Sequence, residues 1–118
     1  MDNNFIEKLK FKMDEFAHGV YRLTLKFPKS EIFGIVSQIR RSSLSVILNF
    51  IEGFARQRSQ VKKNFWEISY GSLKESKYLL NFSYKEKYIS EKEYTGLVIL
   101  ADEIGAMLWK RLQSLKRF

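Results

Sequence analysis

Apolar residues recur at spacings of three and four along this chain and never alternate at two for long. That period belongs to helices and argues against strands. Phe5, Leu9, Met13, Phe16, Val20, Leu23 and Phe27 predict a first helix over about residues 4–26, stopped by Pro28, the only proline. Ser30 is the expected N-cap of a second helix that runs to about Phe54, with Glu31 in its first turn. "ARQRS" (55–59) is the expected connection and Ser59 the next cap, opening a third helix over about 60–87. "YISEKE" then reads as a capping box, Ser90 with Glu93, before a fourth helix over about 91–115. On that helix Leu97, Leu100 or Ala101, Ile104, Leu108, Leu112 and Leu115 share one face. Connections this short make sequential helices antiparallel neighbours. The expected fold is all-α, an antiparallel up-down-up-down four-helix bundle, in one domain of 118 residues.

The second helix carries more than a bundle core needs. In "QIRRSSLSVILNFIEG" (38–53) and its approach, Ile32, Val36, Ile39, Ser43, Val46, Phe50 and Gly53 follow the 4-3 spacing of a seam. Phe33, Leu44, Ile47, Leu48 and Ile51 lie well off that seam. They widen the apolar arc to about 200° at ~100° per residue, where a lone bundle needs little more than ~100°. Another copy of the chain is the simplest cover for the excess.

The rest of the arc is a narrow polar stripe of Gln38, Ser42, Ser45, Asn49 and Glu52, with Arg41 at its edge and Arg40 inside the apolar arc. Two readings fit. One is a solvated face with the Arg40 stem laid across apolar surface. The other is a structural network of Gln38, Arg40, Ser45, Asn49, Glu52 and Glu75, in which Glu75 neutralises Arg40. Glu75 enters because Val61, Phe65, Ile68, Ser72, Glu75, Leu79 and Phe82 form the expected seam of the third helix.

Charge is the main functional clue. The net formal charge is +8, and it is concentrated. Residues 40–63 hold Arg40, Arg41, Arg56, Arg58, Lys62 and Lys63 against Glu52 alone. Residues 109–118 add Lys110, Arg111, Lys116 and Arg117 with no acid. These ten are the candidate nucleic-acid contacts, since localised positive charge suits a polyanion. The basic stretch 56–63 flanks a loop and a helix start, where backbone amides also favour phosphate. Such a surface holds the phosphate backbone without reading bases. The plainer alternative is that these residues only keep the surface solvated, and an acidic protein is a rival partner.

Other classes are disfavoured. No cysteine is present, so disulfides are excluded and a reducing, cytoplasmic home is the simplest expectation. No apolar run reaches the ~18–20 residues of a membrane span, and "MDNNFIEKLKF" lacks the order of a signal peptide. Glu15 and His18 make a Glu-x-x-His element, but a di-iron site needs two such elements and the chain has one histidine. Phosphate-cradling glycine loops are absent too. The expectation is no enzyme, no metal and no cofactor.

Beside these readings, "FPKSEIFGIVSQIRRSSLSVILNFIEGFAR" followed by "FWEISYGSLKE" resembles the bacterial four-helix-bundle family encoded within intervening sequences of large-subunit ribosomal RNA genes. The likeness runs from about Phe16 to Leu115 and is most specific in four places. They are the turn from Phe27 to Gly34, Gln38–Arg40–Arg41, the Ser45, Asn49, Glu52–Gly53 series, and Gly71–Ser72 with Glu75. Ile47 stands where the family often has proline, and Phe50 and Ile51 are bulkier than usual. The resemblance implies a homopentameric ring without enzymatic activity. For the relatives that serve diversity-generating retroelements, it also implies a basic surface that binds RNA or DNA and a reverse transcriptase.

Overall fold

The computed structural model describes residues 2–115. They form α1 (Asp2–Thr24), α2 (Ile35–Phe54), α3 (Ser59–Lys85) and α4 (Glu91–Leu115), with a 3₁₀ turn at Lys29–Glu31. No strand occurs among the described residues. Each helix packs on the next and α4 closes back on α1, while no Cα pair approaches within 8 Å across either diagonal among the described residues. That is the predicted antiparallel four-helix bundle. Phe16, Phe50 and Trp66 are the largest side chains wholly inside it, layered with Leu9, Ile39, Leu73, Leu80, Ile104 and Leu108.

The capping box forms as expected. Ser90 N–H donates to Glu93 Oε1 at 2.9 Å, and Glu93 N–H donates back to Ser90 Oγ at 3.1 Å. At the other side of this loop α3 ends in a Schellman arrangement, with Tyr88 N–H on the Ser83 carbonyl and Lys87 N–H on the Tyr84 carbonyl. Lys87 takes the left-handed position at φ 65°.

α2 starts later than its spacing predicts. Pro28 is extended at ψ 139° and launches only the tight Lys29–Glu31 turn. Gly34, at φ −105° and ψ −113°, is outside helical geometry and becomes the N-cap residue of α2. Ser30 therefore sits in the turn and caps nothing, and Ile32 is exposed instead of joining the seam. Ser59 is the first residue of α3, with Arg58 in the N-cap place.

The larger correction concerns α3. Its buried residues are Trp66, Ser69, Leu73, Ser76, Leu79, Leu80 and Ser83. Apart from Leu79, the expected seam is displaced by about one residue, or ~100° around the helix: Ile68, Glu75 and Phe82 face outward. The cause is the small residues. Ser69 Oγ donates to the Val46 carbonyl at 2.6 Å, Ser42 and Ser76 hydroxyls meet at 2.8 Å, and those of Ser45 and Ser72 meet at 2.8 Å. Serines that satisfy one another let the α2 and α3 backbones approach closely, and apolar pattern alone does not see them.

Candidate nucleic-acid interface

Antiparallel topology brings the end of α2, the start of α3 and the end of α4 to the same end of the bundle. Two basic segments that are some fifty residues apart in sequence thereby converge. Lys62 and Arg111 both lie over the indole of Trp66, with the Lys62 nitrogen 5.4 Å and the Arg111 guanidinium carbon 5.8 Å from a Trp66 ring centroid. Lys10 of α1 joins this end, 5.8 Å from the Phe54 ring.

The cations there are not equivalent. Lys62 Nζ donates to the carbonyls of Gly53 and Phe54, each at 3.2 Å, so it closes the carboxyl end of α2. Burial, and then repulsion from Arg111, lower its pKa. Its role is structural. Arg56 donates to Glu52 at 2.6 Å and lies over Phe65, and Lys63 pairs with Glu67 at 3.9 Å. Arg58 and Lys110 are exposed and have no ion pair among the described residues. Arg56, Gln57, Arg58 and Val61 line a shallow groove of about 330 Å³ at this end. Lys116 and Arg117 lie outside the described residues.

Arg40 and Arg41 do not belong to the patch. They lie in the opening turns of α2, about 20 Å from its carboxyl end at ~1.5 Å per residue. Nor does Arg40 meet Glu75. Its Nε donates to Thr24 Oγ1 at 2.8 Å and its guanidinium stacks 4.2 Å from the Tyr21 ring centroid, both on α1. Glu75 is exposed on α3, because the displaced α3 seam turns it away from the core. The polar stripe therefore divides. Ser45 and Asn49 join the contact with α3, where Asn49 Nδ2 donates to Ser45 Oγ at 2.8 Å and Ser45 meets Ser72. Gln38 and Glu52 are exposed.

Two further features frame the surface. Leu44, Leu48 and Ile51 are each about half exposed along the outer side of α2. They continue from a groove of about 420 Å³ against α1, lined by Asp14, Ala17, His18, Tyr21, Arg40 and Leu44. His18 Nε2 lies 3.4 Å from Asp14, and no group of three potential metal ligands occurs among the described residues. No helix there is long and apolar enough to cross a membrane. Lys10 escaped sequence reasoning, since nothing local marks an α1 lysine as belonging with residues 56–63.

The fold and this surface define an antiparallel four-helix bundle with a basic end. The chain belongs to the 23S rRNA-intervening sequence protein family, whose model matches residues 8–110. A solved structure from Bacteroides thetaiotaomicron VPI-5482, described as a protein of unknown function from the S23 ribosomal protein family, has the same fold at a TM-score of 0.80. It is 24% identical, and the match covers 88% of this chain and 97% of that one. No curated protein matches by sequence.

Proposed function

We propose that this protein is a non-enzymatic, cytoplasmic, self-associating bundle that holds RNA or DNA by its phosphate backbone at the basic end. The observation that carries this reading is the convergence of residues 56–63 with Lys110 and Arg111 at one end of the molecule, where Arg58 and Lys110 have no ion pair among the described residues. Lysine and arginine without base-edge geometry bind phosphate regardless of sequence. Leu44, Leu48 and Ile51 support self-association, because a contiguous apolar strip on a monomer invites a partner. Five copies is the number implied by the family resemblance, and an oligomer would turn a modest patch into a multivalent one.

Filter binding of generic RNA and DNA at two salt concentrations tests the reading. Arg58→Glu combined with Lys110→Glu is expected to weaken binding to unrelated sequences alike. The slope of log K against log salt should fall by about 0.7–0.9 for each phosphate that the variant no longer neutralises. Light scattering should report an oligomer for wild type and variant. Absence of RNA or DNA affinity at low salt refutes the reading and turns attention to an acidic protein partner, such as a reverse transcriptase.

A further inference from the structure

Beside the basic end, the groove between α3 and α4 has a composition that core packing does not require. Tyr70 and Trp109 stand together on it, ring centroids 5.6 Å apart and tilted by 43°. Trp109 is 48% exposed, whereas Trp66, the other tryptophan, is completely buried. Small residues, Ala101, Gly105 and Ala106, leave a groove of about 280 Å³ beside the rings. Lys74 Nζ lies 5.2 Å over the Tyr70 ring. At the far wall Lys77 is paired with Asp102 at 2.5 Å, which neutralises the acid that lines the groove.

A stripe of α3 leads from the groove toward the basic end. Lys63, Tyr70, Lys74 and Lys77 fall on one stripe of α3 by their spacing. Glu67 is the acid on that stripe, and it pairs with Lys63. A half-exposed tryptophan beside a partly buried tyrosine, flanked by lysines, suits single-stranded nucleic acid: a base stacks on the exposed ring while cations follow the phosphates. A duplex cannot use it, because its bases are already stacked on one another.

We infer that the Tyr70–Trp109 groove is a base-stacking site for single-stranded RNA or DNA whose backbone continues onto the basic end. The site rests on the nucleic-acid reading above, and gives it a preference for unpaired strands. Sequence preference stays weak, since every base has a face to stack.

Fluorescence anisotropy with the full chain tests this, using labelled oligo(dT), the same strand with abasic sites, and a duplex of equal length. Wild type is expected to bind oligo(dT) more tightly than the abasic strand, with quenching of tryptophan emission. Trp109→Ala should weaken oligo(dT) binding roughly 5- to 150-fold, the equivalent of ~1–3 kcal/mol per stacked base. It should leave abasic and duplex binding unchanged, and Trp109→Phe should recover most of the affinity. The Arg58→Glu, Lys110→Glu variant should instead weaken all three. Equal wild-type affinity for the intact and abasic strands overturns the stacking site alone. So does a Trp109→Ala weakening shared by all three probes. Failure of wild type to bind any of them overturns the nucleic-acid reading and this site with it.

Discussion

Gly53 lies flush against the indole of Trp66. A Cβ placed on it would stand 2.6 Å from Cδ1 and 2.7 Å from Nε1, inside any real contact. The same Nε1 donates to the Phe50 carbonyl at 3.0 Å, and the Phe50 ring stacks on the indole with centroids 5.1 Å apart. The last turn of α2 and the first turns of α3 are thus held together by one aromatic side chain that a glycine lets in.

Gly53→Ala is therefore expected to destabilise the protein by about 1–3 kcal/mol, the usual range for overpacking a filled site. Helix propensity alone would make the same change favourable by up to ~1 kcal/mol. Gly71 provides the contrast, since a Cβ placed on it would point into open space, with nothing beyond its own helix backbone within 4 Å. Gly71→Ala should stabilise by about 0.5–1 kcal/mol. Urea denaturation of both variants checks the pair, and a stabilised Gly53→Ala would contradict the close approach.

The serine contacts between α2 and α3 predict coupling. Ser42 and Ser76 are buried, their hydroxyls share one hydrogen bond, and Ser76 also donates to the Ser72 carbonyl at 2.9 Å. Each single change to alanine leaves a buried hydroxyl with fewer partners, and should cost about 1 kcal/mol. Ser42→Ala with Ser76→Ala should cost less than the sum of the two, by at least ~0.5 kcal/mol. Strict additivity in a double-mutant cycle would count against this ladder.

How much of this was legible in the sequence follows from what apolar spacing reports. Helix number, order and topology were legible, as was the Ser90–Glu93 cap, because each has a local signature. The α2 seam from Val36 to Gly53 was legible too, since its apolar members set the phase. The α3 phase was not: four of its seven buried positions are serine or tryptophan, and beside Trp66, Ser69 and Ser83 the apolar residues Phe65, Ile68 and Phe82 set a phase one residue early. The start of α2 was obscured by Gly34, whose conformation no periodicity encodes. Likewise the basic segments were visible singly, but only the antiparallel fold joins Lys62 to Arg111.

Arg40 supplies a prediction that the displaced α3 seam makes sharp. Its partners are Thr24 and the Tyr21 ring, so its substitution should couple to α1 and not to Glu75. In double-mutant cycles Arg40→Ala should couple to Tyr21→Ala by about 0.5–2 kcal/mol, the range of a cation over a ring. Coupling to Glu75→Ala should be near zero, and Glu75→Ala alone should lie within ~0.5 kcal/mol of wild type. Arg40→Lys should recover only part of the stability, because an ammonium lacks the planar stack.

The start of α4 should make stability depend on pH in the acid range. Glu93 accepts from Ser90 N–H and pairs with Lys26 of the loop after α1. The Lys26 ammonium first, and the Ser90 amide next, hold its pKa below the ordinary value of 4.5. A carboxylate depressed in the folded state contributes stability above its unfolded value, and loses it as pH falls through the folded one. The side chain is partly exposed, so the Lys26 share is weak and salt-sensitive. Glu93→Gln keeps an acceptor for Ser90 but removes the ion pair. Thermal melts from pH 2 to pH 7 should show the variant less stable near neutrality, and the gap should close below about pH 4.5. Added salt should narrow the neutral gap. A difference that stays constant across the whole range would place the Glu93 contribution in packing and not in its charge.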